Sequence, residues 1–190
     1  MKNLNFTFIT FLLIMFIAKP SYAQDWPNLG RFKVENLQLG LPKVNENRIV
    51  FMGNSIIEGW LQDSVSFFYS NKSYINRGIG GQTTPQMLIR FRADVINLKP
   101  SVVVILAGIN DIAENTGPIT LNQILGNIIS MCELADQNNI RVILYSVLPA
   151  NNFPWQPKIN PTQKVIELNK MIHEYANSKS ITYVDYYSKM

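Results

Sequence analysis

FMGNSIIEGW, Phe51 to Trp60, runs from an apolar stretch into a glycine, then Asn54 and Ser55, then residues at helical spacing. A strand that feeds a helix is the repeating unit of an α/β fold. Ser and Asn are also the preferred residues just ahead of a first helical turn. Ser55 can therefore be read as a helix cap or as a nucleophile presented at a strand tip. The readings are compatible, because the first turn of a helix also favours developing negative charge.

Working outward, the same alternation recurs. Short β-branched runs at Arg48–Gly53, Ser73–Gly78, Ser101–Gly108, Ile140–Val147 and Ile181–Asp185 read as strands. Helical patterns fall at about 56–69, 84–98, 120–138 and 161–177, and GRFKVENLQL (30–39) reads as a further amphipathic helix. The third and fourth runs are almost continuously apolar, as strands covered on both faces are. Right-handed crossovers then give an α/β, three-layer α/β/α sandwich with a five-stranded parallel sheet. In such folds ligands sit beyond the carboxyl ends of the strands.

The chain has 190 residues, 47% apolar and 16% charged, which fits one globular domain. Its ends are unlike. Lys2 precedes an apolar run from Phe6 to Ala18, closed by Lys19, Pro20 and then Ser21-Tyr22-Ala23. That run is short of the roughly 20 residues that span a bilayer and suits a signal-peptide core. Residues 1–23 are thus expected to be a signal peptide and 24–190 the exported domain, periplasmic or secreted, with no stable membrane insertion after cleavage; an uncleaved anchor is the alternative. No cysteine lies at the cleavage position, which argues against a lipid anchor there. The net charge of +4 includes Lys2 and Lys19, and no basic face stands out, so no nucleic-acid partner is expected. One cysteine, Cys132, and one histidine, His173, leave no ordinary zinc site, and no cofactor is implied. Cys132 falls at helical spacing in IISMCELA and reads as a buried structural thiol.

Three strands end in unusual residues: Gly53-Asn54-Ser55, then NRGIGGQT (76–83), then AGIND (107–111). On one edge of a parallel sheet these tips converge. Together they suit acyl transfer, in which a serine hydroxyl attacks a carbonyl and fixed donors meet the oxygen that becomes negative. A glycine loop offers N–H groups without side-chain obstruction, and an asparagine amide offers a neutral donor. Ser55 N–H, a loop glycine N–H and Asn110 would make a three-donor oxyanion hole. GIGG could also suggest a phosphate cradle, but it lacks both the later glycine of the dinucleotide fingerprint and a Gly-Lys-Ser/Thr.

These blocks resemble the SGNH hydrolases, also called GDSL-type esterases. VFMGNSIIEGW is similar to their first block, with Ser55 as nucleophile. NRGIGGQTT is similar to the second, which places the oxyanion glycine at Gly81, and LAGINDIAENTGP to the third, which places the oxyanion asparagine at Asn110. Asn54 stands where many members have Asp. The resemblance, strongest toward exported acylhydrolases of the platelet-activating-factor acetylhydrolase type, implies the flavodoxin-like SGNH fold and an ester hydrolase without cofactor. It also exposes a departure. The family's Asp-x-x-His block is absent, and the chain ends at VDYYSKM. The expectation is a C-terminally incomplete enzyme, close to inert as given, because losing the histidine of a serine triad costs about 10⁶ in turnover in the subtilisin case. His173, well along the last helix, reads as a packing or exposed residue, and Asp185 as a strand-end residue.

Asn54, Asp111 and Trp155 are further candidates for the substrate side. Asp111 also suits a role fixing the Asn110 turn, and Trp155 either stacks on substrate or packs inward. Trp60 reads as core. The expected activity is removal of short acyl groups, acetyl above all, from a small-molecule or glycan ester, with a lipid ester next. A non-catalytic module that binds acylated glycans is the competing class.

Overall fold

The computed structural model describes residues 24–61 and 71–190. The expected signal peptide and the later part of the helix expected over 56–69 lie outside them. Five strands form the sheet: β1 (Ile49–Gly53), β2 (Tyr74–Gly78), β3 (Val102–Leu106), β4 (Arg141–Tyr145) and β5 (Thr182–Val184). Every pairing is parallel and the order is β2-β1-β3-β4-β5. The helices are α1 (Lys33–Leu39), α2 (Ser55–Gly59), α3 (Thr84–Asp94), α4 (Ile109–Ile112), α5 (Leu121–Asp136) and α6 (Thr162–Ser178). This is the flavodoxin-like order, with strand order reversing between β1 and β3. Gly53 lies opposite Gly78 on one side and Leu106 on the other. The ends of β1, β2 and β3 are therefore level, and the loops that leave them start side by side.

Alternation in the strands divides the core. Val50, Met52, Val103, Ile105 and Leu144 meet Phe91 of α3, Ile124 and Ile128 of α5, and Leu168 of α6. Phe51, Val104 and Leu106 point to the other face with Ile57. Trp60, expected in the core, is only half-buried there, with its ring 6.2 Å edge-on to Phe51 and 6.4 Å from Tyr145. Strand β3 is buried throughout, as its composition demands, whereas β4 is not. Arg141 is exposed and Ile143 and Tyr145 are half-buried, so the expectation that β4 is covered on both faces is corrected. The helix expected to reach residue 98 stops at Asp94, and a 3₁₀ turn (Ile96–Leu98) leads to a left-handed Lys99 with φ 47°. Cys132 is buried, as expected, and burial pushes its thiol pKa up to about 12.

Beneath the level strand ends lies a buried polar cluster. Arg90 donates to the carbonyl oxygens of Gly53 (3.2 Å) and Arg77 (2.8 Å), to Asp94 (3.0 Å) and to Oε1 of Gln82 (2.5 Å). One guanidinium thus ties β1, β2 and the glycine loop together; with a planar fork of five donors, it can do so from a single point. Arg77 in turn reaches α1, donating to Asn36 Oδ1 (2.8 Å) and Glu35 (2.8 Å), with its guanidinium 4.6 Å from the Phe32 ring centroid.

Gly78 ends β2 because nothing larger fits. A Cβ there would collide with the backbone nitrogen of Glu58 and stand 2.8 Å from the Asn54 carbonyl oxygen, both in the turn that carries Ser55. Gly78→Ala should therefore destabilise the protein by about 1–3 kcal/mol, the usual cost of overpacking, with the melting midpoint falling by about 2–4 °C per kcal/mol. Gly126, exposed within α5 with nothing within 4 Å of its Cβ position, is the counterpart. Gly126→Ala should stabilise by about 0.5–1 kcal/mol. Equal shifts in thermal melts of the two variants would contradict this reading.

Candidate active site

The first tip resolves the question raised by its sequence. Asn54, not Ser55, is the N-cap: its Oδ1 accepts from Ile56 N–H at 3.0 Å, and the residue is 0% exposed. Ser55 becomes the first residue of α2, exposed, and its N–H has no partner among the described residues. Asn54, a candidate for the substrate side, is thus a buried cap in this structure. Its Nδ2 is buried without a hydrogen-bond partner. Such a donor costs stability when left unmade.

The glycine loop after β2 is held on both sides of one free donor. Gly80 N–H donates to Glu58 Oε2 at 2.8 Å, and Gln82 N–H to the Ile79 carbonyl at 3.4 Å. Between them Gly81, left-handed at φ 74°, has an N–H with no partner among the described residues. Its carbonyl accepts from Asn115 Nδ2 at 3.1 Å, and that of Gln82 from Asn110 Nδ2 at 3.0 Å. The Gln82 side chain, buried, donates to the Pro27 carbonyl at 2.7 Å and accepts from Arg90. A Cβ built on Gly80 would lie 3.9 Å from that of Ser55, so the loop abuts the serine directly.

The third tip is pinned by a carboxylate. Asp111, 1% exposed, accepts from Thr84 N–H at 2.9 and 3.0 Å and from Thr84 Oγ1 at 2.6 Å, and Asn127 Nδ2 donates to the same hydroxyl at 3.0 Å. Burial pushes the Asp111 carboxyl above its ordinary range, and the two Thr84 bonds pull it back. Asp111 therefore joins the start of α4 to the start of α3. Enclosed in that junction, it acts as a structural link, in keeping with its alternative reading as the residue that fixes the Asn110 turn. Gly108, at φ 119°, opens α4, where a Cβ would stand 2.7 Å from Leu168 Cδ2. Asn110 is 5% exposed, and its amide enters the glycine loop.

Trp155 does not pack fully inward. It is 59% exposed, lies 5.3 Å from the buried Phe153 ring, and donates its indole N–H to Asn115 Oδ1 at 3.1 Å. His173 stacks on Tyr183 of β5 with ring centroids 4.7 Å apart and meets Asn177 Nδ2 at 3.2 Å. Strand β5 stands three places from β1, or about 14 Å across the sheet at about 4.8 Å per strand. The histidine thus belongs to the far side of the sheet. Asp185 accepts from Ser188 N–H at 3.0 Å, and the Ser188 hydroxyl, together with that N–H, holds its carboxyl below the ordinary range.

Glu58, Asn115 and Arg90 were missed by the sequence reading. Glu58 was within reach of it, since residues three apart on a helix share a face with Ser55. Asn115 and Arg90 carry no local signal. A separate 320 Å³ cavity bordered by Cys132, Tyr175, Lys179 and Thr182 lies by the first residues of β4 and β5, at the opposite edge from these tips.

A flavodoxin-like parallel α/β sandwich that gathers a serine, a glycine loop and an asparagine amide at adjacent strand tips is the class of protein the fold and site define. Residues 51–190 match the GDSL-like lipase/acylhydrolase family, and the chain belongs to it. A candidate acylhydrolase from Bacteroides fragilis is 53% identical, with 88% of this chain and 81% of that one covered at a TM-score of 0.85. A GDSL-like lipase from Bacteroides thetaiotaomicron is 52% identical, with 86% and 80% covered at a TM-score of 0.84. The uncharacterized lipoprotein YqeF of Bacillus subtilis is 33% identical over 82 residues, which make up 42% of this chain and 34% of that protein. The chain thus matches about a third of the length of that curated relative.

The raised Asp111 pKa gives a signed expectation. The folded protein binds this proton more tightly than the unfolded chain, so its contribution to stability falls as pH climbs from the ordinary value of 3.8 through the folded one, and is level above it. Asp111→Asn should lack this slope while losing part of the Thr84 junction. Its melting deficit relative to the parent should therefore narrow as pH rises through that window. A constant deficit would rule the assignment out.

Proposed function

We infer that this protein is an exported serine acylhydrolase that removes short acyl groups, acetyl foremost, from a carbohydrate or other small ester. What carries the reading is the pattern of taken and free donors at the rim. The N–H groups flanking Gly81 are bonded, while those of Gly81 and Ser55 are free among the described residues, with the Asn110 amide in the same loop. Donors held before charge develops need no reorganisation when it does, which is the largest single term in this kind of catalysis.

In the proposed reaction the Ser55 Oγ–carbonyl carbon bond forms, and the carbonyl electron pair moves onto the oxygen held by the three donors. The ester C–O bond then breaks, and the proton from Ser55 leaves with the alcohol. Water repeats the sequence on the acyl-serine and releases the acid. Both halves need a base. The one histidine of these 190 residues stacks on Tyr183 instead, so acylation should be slow and deacylation slower. Export is read from Lys2, the Phe6–Ala18 run and Ser21-Tyr22-Ala23. The exposed Trp155 ring offers a face for a sugar, as do many carbohydrate sites.

With its one histidine stacked on Tyr183 and not beside Ser55, the chain should trap its own intermediate. Treated with p-nitrophenyl acetate and mapped by mass spectrometry, Ser55 should carry an acetyl group, formed faster when imidazole is added as an external base. Asn110→Ala should slow that acetylation by about 10²–10³-fold, the cost of removing one oxyanion donor. Acetyl groups confined to lysines, with Ser55 unmodified, would refute the reading and favour a binding module.

A further inference from the structure

Two adjacent glycines are the least constrained pair a chain can contain, and the peptide joining Gly80 to Gly81 can turn over with no side chain to oppose it. That peptide carries the free Gly81 N–H. Its two neighbours along the backbone are fixed: Glu58 holds the N–H of Gly80, and Asn115 holds the carbonyl of Gly81. The clamp after Gly81 is itself held from outside, because Asn115 Oδ1 accepts the indole N–H of Trp155. Both ends of the Asn115 amide are therefore engaged, and in only one orientation. The indole needs the oxygen, and the Gly81 carbonyl needs the NH₂.

We propose that Asn115 is a positioning residue that fixes the direction of the Gly81 N–H, with Trp155 as its outer strut, so that the loop following β4 sets the oxyanion donor of the loop following β2. The inference deepens the proposed function and rests on it. Its consequence is a coupling between specificity and rate. A substrate ring that packs on the exposed face of Trp155 (59% exposed) bears on the same residue that steadies Gly81. Substrate recognition and oxyanion geometry would then share one hydrogen-bonded chain, Trp155 to Asn115 to Gly81.

Substitutions separate the links. Asn115→Asp keeps an acceptor for Trp155 but sets a carboxylate oxygen against the Gly81 carbonyl. Trp155→Phe keeps an aromatic ring, smaller by the pyrrole portion, and removes the donor. Gln137→Glu, exposed at the C-terminal cap of α5, is the matched amide-to-acid control. On the full chain, Asn115→Asp should shift the Gly81 amide resonance in a ¹H–¹⁵N spectrum while the Trp155 indole resonance stays near its parent position. It should also slow Ser55 acetylation about tenfold, less than outright loss of a donor. Trp155→Phe should move Gly81 in the same direction by less, and Gln137→Glu should move neither readout. A Gly81 resonance unmoved in Asn115→Asp, or one that moves without any change in acetylation, would overturn the relay while leaving Ser55 as nucleophile. If the parent is never acetylated at Ser55, the functional reading fails, and the Gly81 resonance alone then decides whether the relay exists.

Discussion

The arrangement at the rim depends on one buried carboxylate. Asp111 accepts both donors of Thr84, the N–H shared between its two oxygens and the hydroxyl, and so fastens the loop after β3 to the helix that follows the glycine loop. The parallel register brings Gly53, Gly78 and Leu106 level, but level strands only start their loops together. Keeping the loops together takes bonds between them, and Asp111 supplies a short one, 2.6 Å from Thr84 Oγ1. Removing an ionised group from water is expensive unless its lone pairs are filled. Here both oxygens are used, which is why a carboxylate pushed upward by burial can stay in place.

The surrounding bonds follow the same logic. Arg90 binds the last turns of β1 and β2 and the side chain of Gln82, and Glu58 reaches from the serine helix to Gly80. Buried networks of this kind gain little as pairs, but lose heavily if one member is left unpaired. That asymmetry favours a single geometry for the tips. Under the proposed function that rigidity would serve chemistry, because an oxyanion donor is useful only where it already points. The exposed rim and the buried cluster below it are thus one device, with the donors on top held by the salt-linked polar layer underneath.

Much of this was legible in the chain. The β-branched runs gave the strands, since continuous apolar stretches bounded by glycines have few other uses, and their alternation with helical patterns gave the parallel sheet. Ser55, Gly81 and Asn110, the residues on which the proposed function rests, stand out in sequence because each follows a strand and each offers a donor or nucleophile. Other features were hidden for definite reasons. The competition between Asn54 and Ser55 for the cap depends on which backbone turns first, and the sequence allows both. Asn115 and Arg90 act across the tips through residues far away in the chain, and no local pattern marks them. The outer face of β4 looked apolar in sequence, yet Ile143 and Tyr145 are only half covered, because burial depends on what packs above a strand.

The central claim is that Ser55 N–H, Gly81 N–H and the Asn110 amide face one point beside the Ser55 hydroxyl. Its most direct measurement is a crystal structure of the protein after reaction with an alkylphosphonate ester, whose phosphoryl oxygen imitates the oxyanion. The account predicts a bond from phosphorus to Ser55 Oγ, with that oxygen within about 3 Å of all three nitrogens. An adduct whose oxygen points to solvent, with Gly81 and Asn110 out of hydrogen-bonding reach, would contradict it.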